Sequence, residues 1–431
     1  MGTESKRFLP PSMIHRYKPP ANLFFGALVL AFWIKFNIVL FTYKPYTATK
    51  FYFPLFLLAL GTQLWHNRKA QVWKDPALVS GIVFFILLVL PLGYLHSPAE
   101  GAVYRQYALS LGSFFVLFVG AFFLDPQEKD RLLWGVWAFC LIALAYVLAQ
   151  FHWGLIYEPG HFRGQEAFNR PYGILDDPAH SAGVYLLGLT LTADRALKTK
   201  GAWWLWALVP PFLYALWISR TLGAYLGVAG MAAFLPFLGL LFWKRPGARP
   251  LGLGLFLFWC SWLPILLVIA DFYKLDLWGL RDWTKGTEKF WSFELRIDLV
   301  YNSLNIFFAH PFTGVGLAND FTQPIQYLYA SSWDIYGKGL HLHTTPLAIL
   351  ANGGILAAVP FGAFLFFTLL SYAQKIIWAS TQKERARAIL WLSFFLGLQF
   401  LSFSLLMLYS VTYWFSLILP HLLWAEEPRI P

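Results

Sequence analysis

Charge is what this chain has least of. Only 13% of its residues are Asp, Glu, Lys or Arg, against 58% hydrophobic and 19% aromatic. A chain of 431 residues with so little charge cannot cover its own apolar surface with polar groups. That excludes a water-soluble globular domain and leaves a polytopic membrane protein, whose outer surface meets lipid. Cysteine is almost missing. Cys140 and Cys260 both fall inside apolar segments, which excludes a disulfide framework or a cysteine metal pair and makes them small core residues. Internal repeats and low-complexity tracts are absent too. The two halves differ in loop size, unlike a transporter assembled from matched repeats. No cleavable signal peptide is evident, because the N-terminus is polar and basic through Lys18 and the first apolar run is long enough to remain as a span.

What the chain has in quantity is apolar runs of bilayer length. About twelve are expected, giving an all-α polytopic membrane protein built as one integral membrane domain over residues 1–431. They run near 21–41, 51–65, 77–95, 107–124, 132–151, 181–197, 202–219, 221–243, 251–270, 345–371, 388–407 and 409–424. With the N-terminus inside, twenty Lys and Arg fall on the inner side and twelve on the outer side, although the outer segments are much longer. That imbalance puts both termini in the cytoplasm. Lys244, Arg245 and Arg249, and the stretch Lys383 to Arg387, mark the inner side most strongly. The formal net charge of +11 is then a topology signal and an attraction to anionic membrane lipids, not a nucleic-acid footprint, because the cations are spread over many short loops.

Two external segments are more than turns. Residues 152–180 form the smaller loop, with Arg163, Arg170 and His161 among Pro159, Pro171 and Pro178, too many prolines for one continuous helix. Residues 271–344 form a large polar insert between the ninth and tenth spans. Phe290, Phe293, Ile297, Val300, Leu304 and Phe307 recur there at spacings of three and four, which predicts an amphipathic helix stopped by His310-Pro311 and Gly314. Gly314-Val315-Gly316 reads as a turn, since a lone Gly-x-Gly that does not join a strand to a helix is a weak phosphate signal.

The candidate chemistry sits on the external side. Arg220, in Ser219-Arg220-Thr221-Leu222-Gly223, lies between two apolar runs, where an arginine either faces a protein interior or wet cavity or snorkels to lipid head groups. Arg296 stands beside the apolar stripe of the predicted helix, where an arginine is either a solvated or snorkelling side chain or a functional one. His341-Leu342-His343 closes the insert; it lacks the partners of a metal site, and a histidine at the membrane surface is either structural or a general base. Arg163, Arg170, Arg220 and Arg296 together suggest an anionic ligand, since guanidinium groups bind phosphate in a fork. A lipid-linked diphosphate would lie in the membrane with its head at this level.

Four stretches resemble the recurring blocks of the O-antigen ligase superfamily, which also contains O-antigen polymerases and some protein O-oligosaccharyltransferases. They are Ser219 to Ala224, Leu295 to Asp298, His310-Pro311-Phe312-Thr313-Gly314-Val315-Gly316-Leu317, and His343 to Leu347 with Gly353-Gly354-Ile355. The resemblance covers roughly 150–365. One departure stands out: the residue after the key histidine is commonly Asn in the family and is Thr344 here. The resemblance implies a GT-C-type membrane glycosyltransferase of the bacterial inner membrane, active on the periplasmic face, metal-independent and without a cofactor. Its donor would be a glycan on undecaprenyl diphosphate. Its acceptor would be a sugar hydroxyl of lipid A–core in a ligase, or another lipid-linked glycan in a polymerase. By matching position, Arg220 and Arg296 would hold the diphosphate and His343 would activate the acceptor. Arg163, Arg170 and His341 are further candidates for substrate contact. A modest length without a large external C-terminal domain favours the ligase over protein-glycosylating members. A twelve-span solute transporter is the rival from another class; it predicts charges at mid-membrane in both halves, whereas Lys35 is the one charge well inside an expected span.

Overall fold

The computed structural model of the chain describes residues 71–89, 108, 111–112, 115, 118–122, 124, 126–153, 171, 173, 178–199, 201–242, 288–317, 319, 344–404 and 411–423. Among the described residues the regular structure is helical, with no strand. The α-helices are α1 (Pro76–Val89), α2 (Pro126–Trp153), α3 (Pro178–Lys198), α4 (Val209–Ile218), α5 (Leu222–Leu241), α6 (Glu288–Ala309), α7 (Thr345–Trp378), α8 (Gln382–Ser404) and α9 (Val411–Leu423). Three described helices are long and apolar enough to cross a membrane: Gln127–Trp153, Gly223–Leu241 and Thr345–Trp378. The spans expected near 181–197, 388–407 and 409–424 fall on α3, α8 and α9. Those expected near 21–41, 51–65 and 251–270 lie outside the described residues.

Local sequence explains where these helices begin and break. The span expected over 202–219 is a 3-10 turn, Trp203–Leu208, followed by α4. Pro210 and Pro211 open α4, and their missing N–H groups prevent an α-helical ladder from running back across them. Thr221 caps α5, its hydroxyl accepting from the Ala224 N–H at 3.1 Å. α8 opens with a capping box. The Thr381 hydroxyl accepts from the Glu384 N–H at 3.1 Å, and the Glu384 carboxylate accepts from the N–H groups of Ser380 and Thr381 and from the Ser380 hydroxyl.

Small residues and aromatic rings set the helix packing. A Cβ on Gly397 of α8 would lie 2.6 Å from the Gly227 carbonyl oxygen of α5, so these backbones touch. Gly227 meets Leu401 while Gly230 meets Gly397, which makes α5 and α8 antiparallel. α1 lies against α7, with the Phe84 and Phe361 rings 4.9 Å apart. Phe118 completes this core, edge-on to Phe364 at 5.0 Å.

Polar contacts draw three segments to one end of the bundle. Lys198 pairs with Asp130 at 3.1 Å, and Lys383 donates to the Lys198 carbonyl at 3.0 Å. Buried Asp194 accepts from Arg387 Nε at 2.7 Å and Nη2 at 3.1 Å, and from Trp391 Nε1 at 3.0 Å. These contacts join the start of α2, the end of α3 and the start of α8. They fall within segments that the charge count assigns to a single side, 125–131, 194–201 and 372–387. The starts of α5 and α7, both antiparallel to α8, therefore lie at the opposite end.

Candidate active site

The tight junction expected near 219–221 is a left-handed turn centred on Arg220, the one described non-glycine residue with positive φ, at 48°. α4 ends as the Ser219 hydroxyl turns back to the Leu216 carbonyl at 2.6 Å and the Arg220 N–H reaches the Trp217 carbonyl at 3.2 Å. A non-glycine residue in this region costs roughly 1–2 kcal/mol, because its Cβ crowds the next carbonyl. Buried Ser219 and Thr221 flank Arg220, which is itself exposed. Its guanidinium pairs with no acid among the described residues, and its charge is felt at the phenol of Tyr225, which donates to the Trp217 carbonyl at 3.2 Å. The turn therefore presents a cation outward at the end of the bundle where α5 and α7 begin.

The glycine motifs act on each other. α7 is broken at Gly354, whose backbone is at φ 58° and ψ −161°. A break leaves helix carbonyls and N–H groups without their usual partners, and here the turn after α6 takes each of them up. The N–H groups of Val315 and Gly316 donate to the carbonyls of Ala351 and Asn352 at 2.9 and 2.8 Å. In return, the N–H groups of Ile355 and Leu356 donate to the carbonyls of Pro311 and Phe312 at 2.9 and 3.1 Å. Gly314-Val315-Gly316 is thus a turn, as expected. The Gly314 N–H donates to the His310 carbonyl at 3.0 Å and those of Val315 and Gly316 to α7, so all three are already engaged and form no phosphate cradle.

This lock fixes α6 against the first half of α7. Leu299, Ile306, Val315, Ala348 and Ala351 form a separate buried cluster. With residues 311–312 held at 355–356 and Leu299 in the same cluster as Ala348, α6 runs antiparallel to the start of α7. The amphipathic helix lies where periodicity predicted it, but its most buried face is different. Leu299, Asn302, Ser303 and Ile306 are buried, whereas Val300, Leu304 and Phe307 of the expected stripe are only half-buried. The expected stripe thus flanks the tightest seam, because Ala348 and Ala351 admit close approach only to that neighbouring face. Position 296 lies on α6 three and seven residues before Leu299 and Ser303, hence on the seam face one turn nearer the start of α7. Its side chain lies outside the described residues, as do His343, His341, Arg163 and Arg170.

Asn302 and Ser303 are buried polar residues of this seam that sequence reading did not single out; Thr344, noted there only as a departure from the family's Asn, is buried at the N-terminal end of α7. Ser303 is satisfied by the Leu299 carbonyl at 2.6 Å. Asn302 Oδ1 and the Thr344 hydroxyl are buried without a hydrogen-bond partner among the described residues. A polar face at 299, 302, 303 and 306 is weaker in hydropathy than the stripe beside it, so periodicity points to the wrong side. Among the described residues no three His, Cys, Asp or Glu side chains gather into a metal-binding group.

No curated protein matches this chain. A family model described as O-antigen ligase matches residues 207–362. The matched stretch holds the Arg220 turn, α6, both halves of the glycine lock and His343, while Arg163 and Arg170 lie before it. Over that stretch the chain is similar to the O-antigen ligase family.

Proposed function

We propose that this protein is an O-antigen ligase. It transfers a glycan from undecaprenyl diphosphate to a sugar hydroxyl of lipid A–core at the periplasmic face of the bacterial inner membrane. The family match across Arg220, Arg296 and His343 carries this reading. The exposed side chain of Arg220 on a strained left-handed backbone at the α5 end of the bundle, and the antiparallel pairing of α6 with the start of α7, support it.

The chemistry follows from the leaving group. As the anomeric C–O bond breaks, its electron pair passes to a diphosphate oxygen. Arg220 and Arg296 hold that growing charge with fixed N–H groups, without a metal ion. His343 accepts the proton of the acceptor hydroxyl, whose oxygen forms the new bond from the opposite face of the sugar and inverts the anomeric centre. Diphosphate release supplies the drive, so no nucleotide is needed. Strain at Arg220 has a use here: a left-handed arginine is aimed by its backbone as well as by its rotamer, which lowers the entropy of holding an anion.

The test is transfer in vitro from a defined lipid-linked glycan to purified lipid A–core in the presence of EDTA. Glycan on lipid A–core confirms the ligase. Longer lipid-linked chains with no transfer to lipid A–core identify a polymerase, the other activity of the superfamily. That second outcome, or the absence of both products, overturns the proposal.

A further inference from the structure

Arg195 of α3 is more than nine-tenths buried at 8% exposure, yet its guanidinium makes no hydrogen bond and no ion pair with any described residue. It lies flat over the Trp134 ring of α2, with Cζ 3.4 Å from the centroid, and reaches the Trp137 ring at 4.9 Å. Both acids close enough to be felt there are engaged elsewhere. Asp194 is taken by Arg387 and Trp391, and Asp130 by Lys198. Stacking accounts for the plane of the guanidinium, but among the described residues it leaves the Nε–H donor without an acceptor. Nε is sealed from solvent. A buried donor without an acceptor is costly, so this arrangement lacks an anion.

The surroundings say which kind. Arg131 lies one turn before Trp134 on α2 and is exposed with no acid partner among the described residues, and Lys198 follows one turn after Arg195 on α3. This end of α2 and α3 thus carries Arg131, Arg195 and Lys198 against Asp130 and Asp194, and Asp194 is held by Arg387. It lies at the end of the bundle that also holds Lys383, Arg385 and Arg387. Half-exposed Trp134 forms one wall, an apolar ring beside cations, as suits the boundary between acyl chains and head groups. The count of Lys and Arg assigns this end to the cytoplasmic side, where the leaflet is anionic.

We infer that the α2–α3 groove is a binding site for the head-group phosphate of an anionic phospholipid, received in a fork by Arg195 and flanked by Arg131 and Lys198. The site is at the opposite end of the bundle from Arg220 and takes no part in glycan transfer. Its occupant pins α2 to α3 where the two helices leave the membrane.

The experiment is native mass spectrometry of the purified full-length chain offered equal amounts of phosphatidylglycerol and phosphatidylcholine. Wild type is expected to retain phosphatidylglycerol preferentially. Arg195→Gln and Arg131→Gln should each lower that retention about fivefold, while Lys74→Gln, an exposed cation at the foot of α1, leaves it unchanged. Arg131→Gln alters an exposed side chain without a described partner, so it keeps the test valid if Arg195→Gln does not fold. Equal retention of both lipids, or wild-type retention by Arg131→Gln, overturns the inference. So does displacement of the bound lipid by millimolar inorganic phosphate, which would reassign the groove to a soluble anion. Lipid retention is read without any transfer assay, so this inference and the ligase reading fail independently.

Discussion

Gly314 and Gly354 meet so closely that a Cβ on Gly354 would lie 2.7 Å from the Gly314 nitrogen and would overlap the Phe312 carbonyl. A Cβ on Gly314 would in turn overlap the carbonyls of Ala351 and Asn352. Both glycines have positive φ, at 62° and 58°. Each is therefore required twice, once by backbone conformation and once by space. Gly354→Ala and Gly314→Ala should each lower stability by about 3 kcal/mol, from strain plus overpacking. Gly201→Ala is the control: its φ is 81° but nothing lies within 4 Å of the added Cβ, so it should cost only ~1 kcal/mol. Thermal melting in detergent checks the order; equal losses at all three positions would contradict the lock.

Arg220 separates strain from charge. Arg220→Gly should stabilise the α4–α5 turn by ~1 kcal/mol, since glycine accepts positive φ without penalty. The same substitution should abolish transfer. Arg220→Lys keeps the charge and loses the fork, and should reduce transfer by about tenfold or more. Melting temperature and turnover should thus move in opposite directions for the glycine variant, which a merely structural Arg220 would not produce.

His343→Ala should remove transfer while expression and melting stay near wild type, because a general base contributes roughly 10²–10⁴-fold. EDTA should leave the wild-type rate unchanged. Near-normal turnover by His343→Ala would show that another group takes the acceptor proton.

Asp194 is a buried carboxylate that satisfies three donors at once. Asp194→Asn preserves an acceptor for Trp391 but leaves Arg387 without its counter-charge, a loss of about 3–5 kcal/mol for a buried pair. Thermal melting of the purified protein reads this loss. The exposed Lys198–Asp130 pair should contribute under ~1 kcal/mol, and its loss on Asp130→Asn should be hard to detect.

The capping box of α8 carries a pH dependence. Hydrogen bonds from Ser380 and Thr381 hold the Glu384 carboxyl below its usual value of 4.5. A depressed folded-state value means that the contribution is complete above the unfolded value and fades as pH falls through the folded one. Protection of the first-turn amides of α8 against exchange should therefore fall below about pH 4.5 in wild type. Glu384→Ala should show fast exchange at every pH.

Much of this protein was written in local sequence. Hydropathy sufficed for α2, α5 and α7, because backbone that crosses lipid must satisfy its own hydrogen bonds and long apolar runs have no other solution than a helix. Spacing placed α6, and Pro311 with Gly314 marked its end. The left-handed Arg220 was not legible, since arginine has no preference for that conformation and only the meeting of α4 with α5 imposes it. The seam face of α6 was not legible either: Ala348 and Ala351 on another helix decide which side fits closely, and they favour a face with Asn302 and Ser303 over the more apolar stripe. The two glycine motifs were visible as separate turns nearly forty residues apart, yet only the fold reveals them as halves of one hydrogen-bond exchange. Periodicity and composition act along the chain, so they determine which segments are helices. Backbone groups freed by a break, and guanidinium groups left without acceptors, find or lack their partners only across the chain, so tertiary packing decides where chemistry can occur.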